Sequence, residues 1–111
     1  MPDIPRSPAI RGTMRFRWTA GPTSGKIHEH VFHDDGTVEW RDPGAAPAAG
    51  AERVPFAAYE VTPDVHMVSY LAKKSGFTLT VVLDAATGRM VGIASSSDQW
   101  HPVEGTFEVL P

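Results

Sequence analysis

Apolar and polar residues alternate one by one through most of this chain, and turn-forming residues interrupt the alternation at short intervals. A period of two is the mark of a strand with one buried face, because successive side chains leave a strand on opposite sides. The strictest case is Gly12-Thr-Met-Arg-Phe-Arg-Trp-Thr, with Met14, Phe16 and Trp18 on one face and Arg15 and Arg17 on the other. The same reading gives strands through Val54-Val61, through Val65-Leu71 with His66, Val68 and Tyr70 together, and through Phe77-Leu83. Two more follow at Arg89-Ala94 and Gly105-Leu110, the last after a Ser-rich connector that holds Trp100-His101-Pro102. The one alanine-rich window, 42–51, is broken by Pro43, Gly44, Pro47 and Gly50 and cannot nucleate a helix. It reads as a mobile loop through Arg53, a candidate binding lid.

Lys26-Ile-His-Glu-His-Val-Phe-His-Asp-Asp-Gly-Thr-Val-Glu-Trp-Arg41 supplies two further strands around Asp34-Asp35-Gly36 and carries three of the five histidines. Asp-Gly between alternating residues is a strong hairpin signal. A two-residue turn sets His30 opposite Arg41 and Phe32 opposite Glu39. A three-residue loop with Gly36 left-handed sets Glu29 opposite Arg41 and His30 opposite Trp40. A slip of one residue exchanges the faces, so the register decides which side chains look inward.

Eight short strands without a helix point to an all-β fold, a sandwich or a small antiparallel barrel. Closure removes exposed strand edges, and eight strands enclose room for side chains or one small ligand. The domain is read as residues 12–111, preceded by a flexible arm over 1–11 that carries three prolines.

Composition narrows the chemistry. The chain of 111 residues has no cysteine, which removes disulfides, thiolate metal sites and cysteine nucleophiles. Net charge is −3 and the ten basic residues are scattered, which argues against nucleic acid. No apolar run approaches the roughly 20 residues of a membrane span, and the amino terminus lacks a signal-peptide core. A soluble cytoplasmic protein without a membrane or nucleic-acid partner is expected, monomeric or a homodimer.

Three segments carry a likeness to a known family. Gly12-Thr-Met-Arg-Phe-Arg-Trp, His33-Asp-Asp-Gly-Thr-Val-Glu-Trp, and Val68-Ser-Tyr-Leu followed by Gly76-Phe-Thr-Leu-Thr-Val-Val-Leu-Asp resemble the MoaF-like family. The resemblance runs from about residue 12 to residue 110 and implies a calycin-like, that is lipocalin-like, barrel. A weaker similarity reaches the phenolic acid decarboxylases, whose Thr-Val-Asp-Tyr-Arg resembles Thr37-Val-Glu-Trp-Arg41. That similarity implies that Arg41 holds a substrate carboxylate. Phe16 and Trp18 stand where those enzymes have tyrosines, and Glu60 or Asp64 lies near the place of their acid.

The candidate residues follow from strand geometry and from these likenesses. His30, Glu39, Arg41 and Tyr70 form the expected catalytic set, with guanidinium for an anionic group and imidazole and phenol for proton transfer. Trp18, Trp40, Tyr59, His66 and Trp100 are the expected ligand contacts, and His101 is a candidate gate or base. His28 and His30 share a face and could both reach a metal, with His66 or His101 as third ligand, but a two-histidine start is a weak signal and no metal is expected. There is no Gly-rich phosphate loop and no nucleophile elbow, so no cofactor and no hydrolase chemistry is expected. The expected function is a small-molecule-binding barrel acting as a cofactor-free lyase, isomerase or cyclase on a small aromatic or acidic metabolite. The alternatives are a carrier without turnover and a protein-interaction module using an exposed sheet face.

Overall fold

The computed structural model describes residues 4, 5, 7–43 and 52–111. The lid expected over 42–53 therefore falls, for residues 44–51, outside the described residues. The chain forms eight strands: β1 (Gly12–Ala20), β2 (Ile27–Phe32), β3 (Thr37–Arg41), β4 (Glu52–Thr62), β5 (Val65–Ala72), β6 (Phe77–Asp84), β7 (Arg89–Ser95) and β8 (Trp100–Val109). Each pairs antiparallel with its chain neighbour, and β8 returns to β1, so the sheet closes as an up-and-down barrel. This is the all-β barrel that the alternation allows, in the calycin-like form that the family resemblance implies. Among the described residues no helix is long and apolar enough to cross a membrane.

The apolar phase of each strand turns inward. Met14, Phe16 and Trp18 meet Phe32, Val38, Val54, Phe56, Val68, Val81, Leu83 and Met90 in one continuous core. Val38 and Val81 are completely buried. The β2–β3 hairpin takes the three-residue form, with Glu29 opposite Arg41, His30 opposite Trp40 and Phe32 opposite Val38. Gly36 has φ 87°, a left-handed value that an L side chain adopts only at a cost. Burying Phe32 against Val38 fixes the inward phase of both strands. His28, His30 and Trp40 then look into the barrel, and Glu29, Glu39 and Arg41 look out.

Two expectations about boundaries are corrected. The last strand begins at Trp100 rather than Gly105, because Ser96 N–H donates to the Gln99 carbonyl (2.7 Å) and the tight turn lets Trp100 pair with Ser95. Pro102 is tolerated there because the β1–β8 ladder stops at Glu104, so one side of Pro102 has no strand to bond. The described part of the amino-terminal arm is docked rather than loose. Ser7 N–H donates to the Ala58 carbonyl (3.0 Å), Ala58 N–H donates to the Pro5 carbonyl (2.8 Å), and Ile10 is buried. The arm closes the barrel end that carries the β2–β3, β4–β5 and β6–β7 turns.

Candidate functional site

Among the described residues, the other end is open. There a cavity of about 390 Å³ enters the barrel, within the usual range for small-ligand sites. Pro22 and Thr23 of the β1–β2 loop, Ser75 of the β5–β6 turn and Gln99 of the β7–β8 turn frame its mouth. Its walls are Trp18, His28, Trp40, Phe77, Leu79 and Val103, and its polar floor is His30 with Tyr70.

The floor is a neutral pair. His30 is 1% exposed, stacks on Phe16 with ring centroids 4.1 Å apart, and shares a 2.7 Å hydrogen bond between its Nε2 and the Tyr70 hydroxyl. Burial, reinforced by His28 nearby and opposed by the His28 backbone, lowers the His30 pKa to about 3. Burial and then the charge of Glu52 push the Tyr70 phenol above its ordinary value. Both groups thus keep their neutral forms at physiological pH, as desolvation demands of a charge with no ion to pair it. His30 Nδ1 has no hydrogen-bonding partner among the described residues.

The wall is ordered by a second histidine. Trp18 Nε1–H donates to His28 Nδ1 (2.9 Å), which leaves the proton of neutral His28 on Nε2, 3.7 Å from Asp42 Oδ1. Burial lowers the His28 pKa, with Asp42 raising it and Lys26 lowering it further. The His28 ring stands edge-on to Trp40 at 5.4 Å and to Trp18 at 6.4 Å, which holds two indoles as a rigid aromatic surface. At the mouth, His101 lies 6.1 Å from the Phe77 ring and its Nε2 is 3.3 Å from Gln99 Oε1.

Of the residues expected in the site, His30, Tyr70, Trp18 and Trp40 are brought together around this cavity, and His101 joins them. The others lie elsewhere. Arg41 is on the outer face of β3, with its Nε 3.7 Å from Glu29 Oε1, and Glu29 also takes Arg15 at 3.1 Å. Glu39 is outside as well, bonded to His33 Nε2 at 2.6 Å. Tyr59 is 49% exposed because it falls three residues after inward Phe56, on the opposite parity. Trp100 is 67% exposed for the same kind of reason, being out of phase with inward Val103. His66 does face inward but at the closed end, where its Nδ1 bonds the Ser7 hydroxyl (2.9 Å). His28 and His30 already spend one ring nitrogen each on Trp18 and Tyr70. Among the described residues no group of three metal-ligating side chains converges.

Sequence reasoning missed Phe77 and Leu79 as wall residues and missed Glu52 altogether. Glu52 keeps the inward parity of Val54 and Phe56, so the signal was an acid in phase with the core, obscured by the proline-rich loop before it.

The outward Arg41 gives a direct expectation. Replacing it with methionine changes stability by less than about 0.5 kcal/mol in urea denaturation, since the Glu29 pair is long and Glu29 keeps its closer partner Arg15 at 3.1 Å. A loss of several kcal/mol would contradict the outward placement.

With the geometry in place, comparison with known proteins adds the lineage. A family model described as the MoaF N-terminal domain matches residues 13–99, most of the barrel from β1 to the turn before β8. The chain belongs to the MoaF family. Among solved structures, this MoaF-family barrel is similar to a candidate beta-lactamase from Burkholderia vietnamiensis, with a TM-score of 0.70 and 17% identity. The superposition covers 95% of this chain and 98% of that one, and at this identity it speaks for the fold alone. No curated protein matches the chain. Family, closed barrel and interior cavity together make this a small-molecule-binding barrel.

Proposed function

We propose that the barrel binds one small, flat, largely apolar molecule in the cavity, stacked against Trp18 and Trp40, with a polar group directed to the His30–Tyr70 floor. The observation that carries this reading is the pairing of an aromatic wall with a buried, neutral hydrogen-bonding dyad at its base. A pocket of this kind favours ligands that gain by leaving water and that offer one or two matched polar atoms. It gives no footing to the acidic metabolite expected from Arg41, because no Lys or Arg among the described residues lines it.

A second reading is catalytic: a cofactor-free lyase, isomerase or cyclase. What favours it is the same dyad. A phenol held by a histidine, both with displaced proton affinities and both facing a cavity, is an arrangement that can polarise a carbonyl or move a proton. In that role Tyr70 O–H donates to the ligand, and His30, protonated on Nε2, donates to the Tyr70 oxygen and so orients the phenol. Glu39 and Arg41 take no part, since they stand on the outer face.

The test is retention of ligand. Protein purified gently and sprayed under native conditions is expected to carry a bound mass that denaturation releases. Ala94→Trp, which fills the cavity from β7, is expected to abolish it. A bound mass kept by the Ala94→Trp variant would place the ligand elsewhere.

A further inference from the structure

Resting on this ligand reading, we infer that the ligand carries a positive end, a protonated amine or nitrogen heterocycle, which the cavity selects through Glu52 and its aromatic walls. Glu52 is 8% exposed, and its backbone position on β4 turns the side chain inward in phase with Val54 and Phe56. Oε2 accepts the backbone N–H of Lys74 at 2.8 Å, while Oε1 is buried with no hydrogen-bonding partner among the described residues. Three neighbours locate the carboxylate. It stands opposite Trp40 in the β3–β4 ladder, it bonds the residue before Ser75, and its charge acts on the Tyr70 phenol. Trp40, Ser75 and Tyr70 all line the cavity. Glu52 is not itself a lining residue; it sits behind the wall where β3, β4 and the β5–β6 turn meet, and its charge acts on the Tyr70 phenol that does line the cavity.

A buried carboxylate with an unsatisfied oxygen is costly unless a donor or a cation completes it, and no described residue hydrogen-bonds Oε1. Among the described residues no Lys or Arg lines the cavity, and residues 44–51 contain no charged side chain in their sequence. Lys26, Lys73 and Lys74 near the mouth are solvent-exposed, where salt screens their charge over about 10 Å. The field of Glu52 acts through protein rather than water and reaches further into the site. The faces of Trp18, Trp40 and Phe77 offer the other half of a cation site, because the ring quadrupole attracts ammonium groups.

The experiment uses three probes of one shape and different charge: phenethylammonium, phenethyl alcohol and hydrocinnamate, titrated calorimetrically at neutral pH and about 0.1 M salt. The native protein is expected to bind the ammonium about tenfold more tightly than the alcohol, and the carboxylate more weakly than either. Glu52→Gln keeps an oxygen for the Lys74 N–H, and it is expected to erase the preference for the ammonium while leaving the alcohol's affinity unchanged. Binding of the alcohol with no preference for the ammonium overturns the charge assignment and leaves the ligand pocket standing. Binding of none of the three, or alcohol binding that survives Ala94→Trp, overturns the pocket itself and this inference with it. Should the Gln variant fail to fold, the ranking of the three probes on the native protein decides the matter.

Discussion

Gly105→Ala is expected to cost on the order of 3 to 5 kcal/mol and to lower the urea midpoint by about a third or more in a domain of ordinary stability. Gly105 faces inward on β8 opposite Trp18, and a Cβ built there falls 2.1 Å from the Arg17 carbonyl oxygen and 2.9 Å from the Met90 methyl. The methyl of Met90 can swing aside, but the Arg17 carbonyl belongs to the β1 backbone. Accommodating the methyl group therefore means parting β1 from β8, the pairing that closes the barrel. Thr106→Ala, one residue on and exposed, serves as control and is expected to stay within about 0.5 kcal/mol. A Gly105→Ala protein as stable as that control would contradict the close approach of the two strands.

The second large effect is acid lability. His30 takes up its proton near 6.5 in the unfolded chain but only near 3 in the barrel, so protonation favours the unfolded state. Its neutral form is fully compatible with folding above 6.5, and stability is lost as pH falls from there toward 3. The slope approaches about 1.4 kcal/mol per pH unit, so the loss between pH 7 and pH 5 is about 2 kcal/mol. His28, also lowered by burial, adds a contribution of the same sign. Asp35, whose carboxyl is held below its ordinary 3.8 by the Thr37 hydroxyl, contributes only at lower pH and leaves this window clean. His30→Gln offers Tyr70 an amide that does not titrate, and it is expected to flatten most of the slope in urea midpoints taken from pH 7 to 5. An unchanged slope would show that His30 is not the buried base.

The sequence and the structure agree where alternation alone was needed. Met14, Phe16 and Trp18, the Val68-Tyr70 face and the Asp-Gly hairpin all declared their strands, because apolar phase and turn chemistry are local properties. Arg41 shows what was not local. Thr37-Val-Glu-Trp-Arg41 places Val38 and Trp40 on one face and Arg41 on the other, but which face is interior depends on what Phe32 packs against across the hairpin. The likeness to a decarboxylase motif pulled Arg41 inward, and the burial of Val38 turned it out. His66 shows a different limit. Its inward direction was legible, whereas its depth was not, since alternation tells in from out and says nothing of which barrel end an inward residue lies near. The docking of Ser7 on His66 is a contact across 59 positions, beyond any local pattern.

The central claim, that the cavity between the two inward tryptophans is the ligand site, is tested most directly by the three indole N–H resonances in a proton–nitrogen correlation spectrum. Trp18 and Trp40 line the cavity, and Trp100 stands 67% exposed on the outer face. On titration with naphthol, a flat neutral aromatic, the Trp18 and Trp40 signals are expected to shift together along one binding curve while the Trp100 signal stays in place. Movement of Trp100 alone, with Trp18 and Trp40 unmoved, would put the binding surface outside the barrel and contradict the account.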